Sequence, residues 1–220
     1  TDAAEVVVGK TSYPMILEDE AGYYAVMLPL KRIPEYRFRV TRGSMKETFY
    51  DAYECPCQIT EEEERAFCAG VYYKAYEKLG AHPGICGGVK GTYFAVWAPN
   101  AIRVSVVGDF DRWDGRRLPM HRMPMSGIFE LFVPGVQAGV SYQYEIKIKG
   151  GNVQRKSDPY GNGTQGAPSV ISVVTDLGDF SWQDEAWMKE REKFASREVP
   201  VSIYETDVTE WKNSSELVAF

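Results

Sequence analysis

Histidine is scarce in this chain, cysteine is sparse, basic charge is in deficit, and no long apolar run occurs. The 220 residues hold two histidines, His82 and His121, and four cysteines, Cys55, Cys57, Cys68 and Cys86. Cys55-Pro-Cys57 puts one residue between its sulfurs, where zinc and redox pairs use two. The histidines stand far from it in sequence, so no metal site and no cofactor is expected. Free thiols in a reducing, cytoplasmic setting are the expectation for all four cysteines. Lys and Arg number 25 against 31 Asp and Glu, a net charge of −6. That balance offers no basic face for nucleic acid. No apolar run approaches the roughly 20 residues of a membrane span. The opening Thr1-Asp-Ala-Ala-Glu5 has no basic region ahead of an apolar one, so no signal peptide and no membrane partner are expected.

What is present is an ordinary soluble composition, 44% hydrophobic and 25% charged, in a length that suits one large or two modest domains. The most informative stretch is Val106-Val-Gly-Asp-Phe-Asp-Arg-Trp-Asp-Gly115. A β-branched run (Val104, Val106, Val107) feeds a loop bearing Phe110 and Trp113 among Asp109, Asp111, Arg112 and Asp114. A flat ring at a strand end, ringed by polar groups, suits the apolar face of a pyranose whose hydroxyls need partners. The alternative is that Trp113 is a core residue.

Downstream of Thr60, which stands three residues before Glu63 in a capping-box pattern, the run Glu61–Glu64 reads as a solvated helix start favoured by the helix dipole. Phe67, Val71, Ala75 and Leu79 recur at helical spacing, Gly70 can split the helix, and Gly80 and Pro83 end it. Strands are expected at Tyr93–Ala98, Arg103–Gly108, Gly127–Val133, Ser141–Lys149 and Val170–Val174, the pattern of an all-β sandwich. A partial internal repeat accompanies them. Gly22–Pro29 echoes Gly127–Pro134. Tyr36–Val40 followed by Asp51-Ala-Tyr53 echoes Tyr144–Ile148 followed by Asp158-Pro-Tyr160, and Val8-Gly9 echoes Val107-Gly108. The first copy has only Lys10-Thr-Ser12 where the second carries Phe110–Trp113, so no stacking ring is expected there. That copy also starts late in the pattern, which exposes strand edges; residues preceding Thr1 are expected on that ground.

Several ordered elements carry a family resemblance. Leu79-Gly-Ala-His-Pro83, Val96-Trp-Ala-Pro-Asn-Ala101, Gly108-Asp-Phe-Asp-Arg-Trp-Asp-Gly-Arg116 and Lys156-Ser-Asp-Pro-Tyr160 resemble the amino-terminal region of α-1,4-glucan (glycogen) branching enzymes. The part from about Gly91 to Val174 resembles a carbohydrate-binding module of family 48. The resemblance implies a mainly β fold: two immunoglobulin-like β-sandwich modules, the first incomplete, joined by a short helical connector, with the first strand of a (β/α)8 barrel at the C-terminus. The implied limits are a truncated sandwich over 1–56, the connector over 57–90, the binding module over 91–176, a linker over 177–199 and the barrel start over 200–220.

The resemblance further implies a non-catalytic region that holds α-glucan and supports the enzyme's own barrel, while the parent moves α-1,4-glucan segments to form α-1,6 branches. The family's nucleophile and acid/base lie on later barrel strands, so no catalytic residue is expected here; Asp158 reads as a turn residue and Glu205 as structural. Trp113 is the implied stacking residue, with Arg112 and Asp111 as hydroxyl partners and Lys147 and Lys149 reaching across the sheet. Trp97 reads as a packing residue, set against the barrel. The turn Gly150-Gly-Asn-Val153 carries no second aromatic, so weak binding is expected. Val199–Glu205 is the expected barrel strand, but Thr206–Trp211 departs from the family pattern. Two other readings stay open: a purely structural sandwich, and a module of a debranching or trehalose-forming enzyme.

Overall fold

The computed structural model describes residues 1–166, 170–178, 181–194, 200 and 202–205. Residues up to Leu177 form one compact unit, and those from Gly178 onward a second. The first unit begins with β1 (Ala3–Val8) and β2 (Thr11–Pro14), then β3 (Ile16–Asp19) and β4 (Tyr23–Ala25), then β5 (Tyr36–Arg42) and β6 (Met45–Phe49). Antiparallel pairing orders a sheet β2-β1-β5-β6, while β3 and β4 form a separate hairpin. In β1 the alternation rule sends Ala4 and Val6 inward. The hairpin turn is closed by Asp19, whose carbonyl accepts from Gly22 N at 2.9 Å, and Gly22 sits at φ +99°, where a side chain would be strained.

Helix α1 (Glu61–Cys68) starts as the spacing predicts. Thr60 Oγ1 accepts from Glu63 N at 3.2 Å, and Glu63 Oε2 accepts from Thr60 N at 2.8 Å. The helix stops at Gly70, φ +72°, and resumes only as one 3-10 turn over Ala75–Glu77. The predicted helical stripe is therefore corrected. Leu79 is buried, but Val71 is 53% exposed, because the break turns it away from the core.

Gly80–Cys86 is not a helix end but strand β7. It pairs along its full length with β8 (Val89–Trp97). A strand through Gly80 and Pro83 is possible because it lies at the sheet edge, where a missing N–H is tolerated. Next come β9 (Ala101–Gly108), β10 (His121–Arg122), β11 (Ile128–Pro134), β12 (Ser141–Ile148), β13 (Val153–Lys156) and β14 (Ser172–Val173). One sheet runs β10-β11-β8-β7; in the other, β12 pairs with β9, β13 and β14. Between them lie Phe94 and Val96 from β8, Phe129 and Leu131 from β11, Val104 and Val106 from β9, and Tyr142 and Tyr144 from β12. Each fully buried large side chain there contributes roughly 1.5–3 kcal/mol. The chain is mainly β, with sheets that do not close into a barrel.

The repeat is real, but its register differs from the sequence alignment. Tyr36 Oη donates to Asp51 Oδ2 at 2.7 Å, and Tyr142 Oη donates to Asp158 Oδ2 at 2.7 Å. Asp51 Oδ1 accepts from Tyr53 N at 2.9 Å as Asp158 Oδ1 accepts from Tyr160 N at 2.8 Å. Tyr144 Oη also reaches Asp158 Oδ2, at 3.1 Å, so register decides. Phe38 pairs with Phe49, two residues before Asp51, as Tyr144 pairs with Lys156, two before Asp158. Tyr36 therefore corresponds to Tyr142, not Tyr144, a shift of one pleat. Phe38 falls opposite Val6 as Tyr144 falls opposite Val106.

The cysteine expectation is also corrected. Cys55 and Cys86 form a disulfide, with Cα atoms 6.2 Å apart. The β7–β8 turn carries Cys86 back to the segment that links β6 to α1. Cys57 and Cys68 are free thiols.

In the second unit, α2 (Glu185–Phe194) is the one helix among the described residues. Of the expected barrel strand, Val199 and Val201 lie outside the described residues, and Ser202–Glu205 take no regular structure. Thr206–Trp211 also lie outside them. No described helix is long and apolar enough to cross a membrane.

Candidate functional site

Strand β9 runs through the core and delivers the loop that follows Gly108. Burying Val104, Val106 and Val107 fixes the strand end, and a 3-10 turn, Asp109–Asp111, reverses the chain. Asp111 is the hub of that turn. It is 2% exposed, and its Oδ1 accepts from Gly108 N and Trp113 N, both at 2.9 Å. Burial pushes the Asp111 carboxyl up, against the pull of those two amides and Arg117. Asp111 thus sits inside the turn rather than at the surface where the sequence reading put it.

The turn carries Arg112 and Trp113 into the left-handed region, φ 62° and 59°. Two successive non-glycine residues there cost of order 1–2 kcal/mol each, so the surroundings must hold them. Trp113 is partly exposed. Its Nε1 donates to Asp109 Oδ1 at 2.7 Å, and its carbonyl accepts from Arg155 Nη2 at 2.7 Å. The Arg155 guanidinium stands 5.9 Å from the indole centroid, within reach of a cation–π attraction. Farther along the loop, Arg116 grips both oxygens of Asp114 at 2.9 and 2.8 Å. That hydrogen-bonded guanidinium holds the Asp114 carboxyl well below the usual carboxylate range.

The loop is seated on the outward face of the β9-β12-β13 sheet. Ser105 Oγ donates to Gly115 O at 2.6 Å. Gly115 packs so closely on the Glu145 carboxylate that a Cβ would collide with it. Glu145 in turn holds Arg103 at 2.7 Å and Arg155 at 3.7 Å. Lys147 lies one pleat beyond Glu145, directly across from Arg103 in register. Indole, Arg155, Glu145, Arg103 and Lys147 thus form one polar face with a ring at its rim. Arg112 is exposed on the same loop. Lys149 is not part of that face: it lies past the bulge at Lys147/Ile148, in an exposed turn.

The sequence reading missed Arg155, Glu145 and Gly115. The alternation Gln143, Glu145, Lys147 signalled an outward face; Arg155 required knowing that Val153–Lys156 is a strand. Trp97 stands apart from this face. It is 53% exposed, its Nε1 donates to Ser126 O at 2.9 Å, and its ring meets Phe67 edge-on at 5.8 Å. Among the described residues, no group of three or more His, Cys, Asp and Glu could hold a metal ion.

Residues 78–161 match the family model of carbohydrate-binding module 48, the isoamylase N-terminal domain. The chain is 38% identical over 208 residues to a 1,4-alpha-glucan branching enzyme of Thermosynechococcus vestitus, covering 94% of this chain and 27% of that protein. It is 40% identical over 215 residues to the enzyme of the same name from Cereibacter sphaeroides, covering 96% and 30%. For the one from Synechocystis sp. the identity is 37% over 217 residues, covering 98% and 27%. The chain therefore spans between 27% and 30% of the length of these curated relatives.

Proposed function

Given that residues 78–161 match a family 48 carbohydrate-binding module in a chain similar over nearly its whole length to 1,4-α-glucan branching enzymes, we propose that this region holds α-glucan and buttresses a catalytic barrel. The observation that carries the reading is Trp113, a partly exposed ring pinned at Nε1 and flanked by Arg155 over a polar sheet face. A pyranose lays its C–H face on the indole and its hydroxyls on the surrounding charged groups. Arg112 stands on the ring's own turn and Lys147 on the same sheet face, in reach of a glucan crossing it. Asp111 acts by fixing the ring. With one ring and no second aromatic in the turn after β12, each site binds weakly, and a polymer with many chain ends compensates through effective concentration.

The whole enzyme, on this reading, cleaves an α-1,4 bond and rejoins the segment at a glucose O6 through a carboxylate nucleophile and a carboxylic acid/base. No residue of this chain is given a catalytic part. The exposed Trp97 with Phe67 offers the barrel an apolar face. The test is affinity electrophoresis in gels with and without glycogen. The unaltered chain is retarded by glycogen and Trp113→Ala migrates as if glycogen were absent. Equal retardation of both proteins would refute the assignment to Trp113, and no retardation of either would leave the structural reading.

A further inference from the structure

We propose that the cleft between the β5-β6 edge of the first sheet and the lip of the sandwich is a second α-glucan groove, separate from the Trp113 face. The inference rests on the α-glucan reading above. The cleft holds about 690 Å³, inside the range of about 300–1,000 Å³ for small-molecule sites, and so has room for more than one sugar ring.

Its lining is of two kinds. Phe49, tilted against Phe38 with centroids 5.9 Å apart and itself 42% exposed, gives an open aromatic wall. Arg42, Lys90 and Arg117 line the remainder together with Glu47, Asp51 and Asp111. An anion would meet three carboxylates, and a cation three bases. A neutral ligand rich in hydroxyls suits both signs, donating to carboxylates and accepting from guanidinium and ammonium groups.

Asp111 supplies an independent sign of a ligand. Its Oδ1 is satisfied by the turn, but Oδ2 has no hydrogen-bond partner among the described residues, although the residue is 2% exposed. A buried acceptor without a donor is rare in folded proteins. Asp111 lines the cleft, and Oδ2 is itself closed to solvent, so a sugar hydroxyl donates to it only as the lining side chains part to admit it. The same side chain then holds Trp113 from behind and a glucan from the front. The Asp109–Leu118 loop divides the two sites, and separate branches of one glycogen particle can reach both.

The experiment is a titration of the isotopically labelled 220-residue chain with maltoheptaose, followed by amide chemical shifts. The proposal expects shifts at Thr48, Phe49 and Lys90, on the cleft side away from the Trp113 loop, and expects them to persist in Trp113→Ala. In Phe49→Ala the apparent affinity read at those amides falls roughly tenfold, while the shifts at Arg155 stay as in the unaltered chain. The exposed Lys90→Ala replaces it, with a loss of about threefold, if Phe49→Ala does not fold. Shifts at Arg155 without shifts at Thr48, Phe49 and Lys90 overturn the groove and leave the Trp113 reading standing. Cleft shifts that vanish in Trp113→Ala overturn its separateness. Silence at both places overturns both readings.

Discussion

Asp111 decides whether Trp113 has a fixed place. A chain passing through φ 62° and 59° in succession returns to ordinary backbone angles unless something holds it, and the amides of Gly108 and Trp113 on Asp111 are that hold. Asp111→Ala leaves both without a buried acceptor, so a thermal melt should show a loss of roughly 1–3 kcal/mol, with retardation on glycogen falling as well. Gly115 carries a related constraint. The Gly115→Ala methyl pushes the Glu145 carboxylate off its place and frees Arg155, at a cost of about 1–3 kcal/mol by chemical denaturation. Trp113 itself was legible, because a ring following a β-branched run among acidic residues is a local signal. Asp109, its Nε1 partner, lies in the same stretch. Arg155 was not legible, since it meets Trp113 from another strand, with Glu145 behind it.

Helix α1 was legible at its start and not at its end. The capping box is written in four adjacent residues, and Thr60→Ala should cost about 1 kcal/mol. Beyond Gly70 the 3.6 spacing of Phe67, Val71, Ala75 and Leu79 persisted by coincidence, and β7 passed for a helix end because glycine and proline mark both. Strand β13 left no hydrophobic trace, for all four of its residues are exposed. Glu64, read from sequence as one solvated acid among four, is 1% exposed. It ties α1 to the β10–β11 turn by accepting from Met125 N at 2.9 Å and Ser126 N at 2.8 Å. Burial pushes its carboxyl up, but the Ser126 and Met125 donors outweigh that and hold it below the ordinary value of 4.5. The ionised form is thus the one the fold favours. Its stabilisation is complete above the ordinary value and is lost as pH falls through the lowered one. Urea midpoints measured from neutral to acid pH should drop less steeply in Glu64→Gln, which starts from a lower plateau.

Over the whole molecule, one device is used twice: a tyrosine on the central strand donates to a turn aspartate that also caps the amide two residues on. The two uses differ in burial, since Tyr142 is 0% exposed and Tyr36 is partly exposed. Tyr142→Phe strips a donor from buried Asp158 and should cost about 1–3 kcal/mol, against about 0.5–1.5 for Tyr36→Phe, compared by thermal melts. The Cys55–Cys86 bridge spans 31 residues, and loop closure of that length stabilises by about 3–4 kcal/mol. Cys55→Ser, or a dithiol reductant, should lower the melting temperature accordingly. The repeat was visible in sequence as paired aromatics and turns; its true register was not. Tyr142 and Tyr144 both fit the pattern, both hydroxyls reach Asp158 Oδ2, and only the pairing with the next strand separates them.

The shared pattern has a practical outcome. Val8-Gly9-Lys10 and Gly108–Leu118 leave corresponding strands, so the two copies are like sockets, one fitted with a ring and one with a bare turn. Transplanting Asp109–Leu118 into the empty socket, with serine and glutamate placed to match Ser105 and Glu145, would give a chain with two indoles on one scaffold.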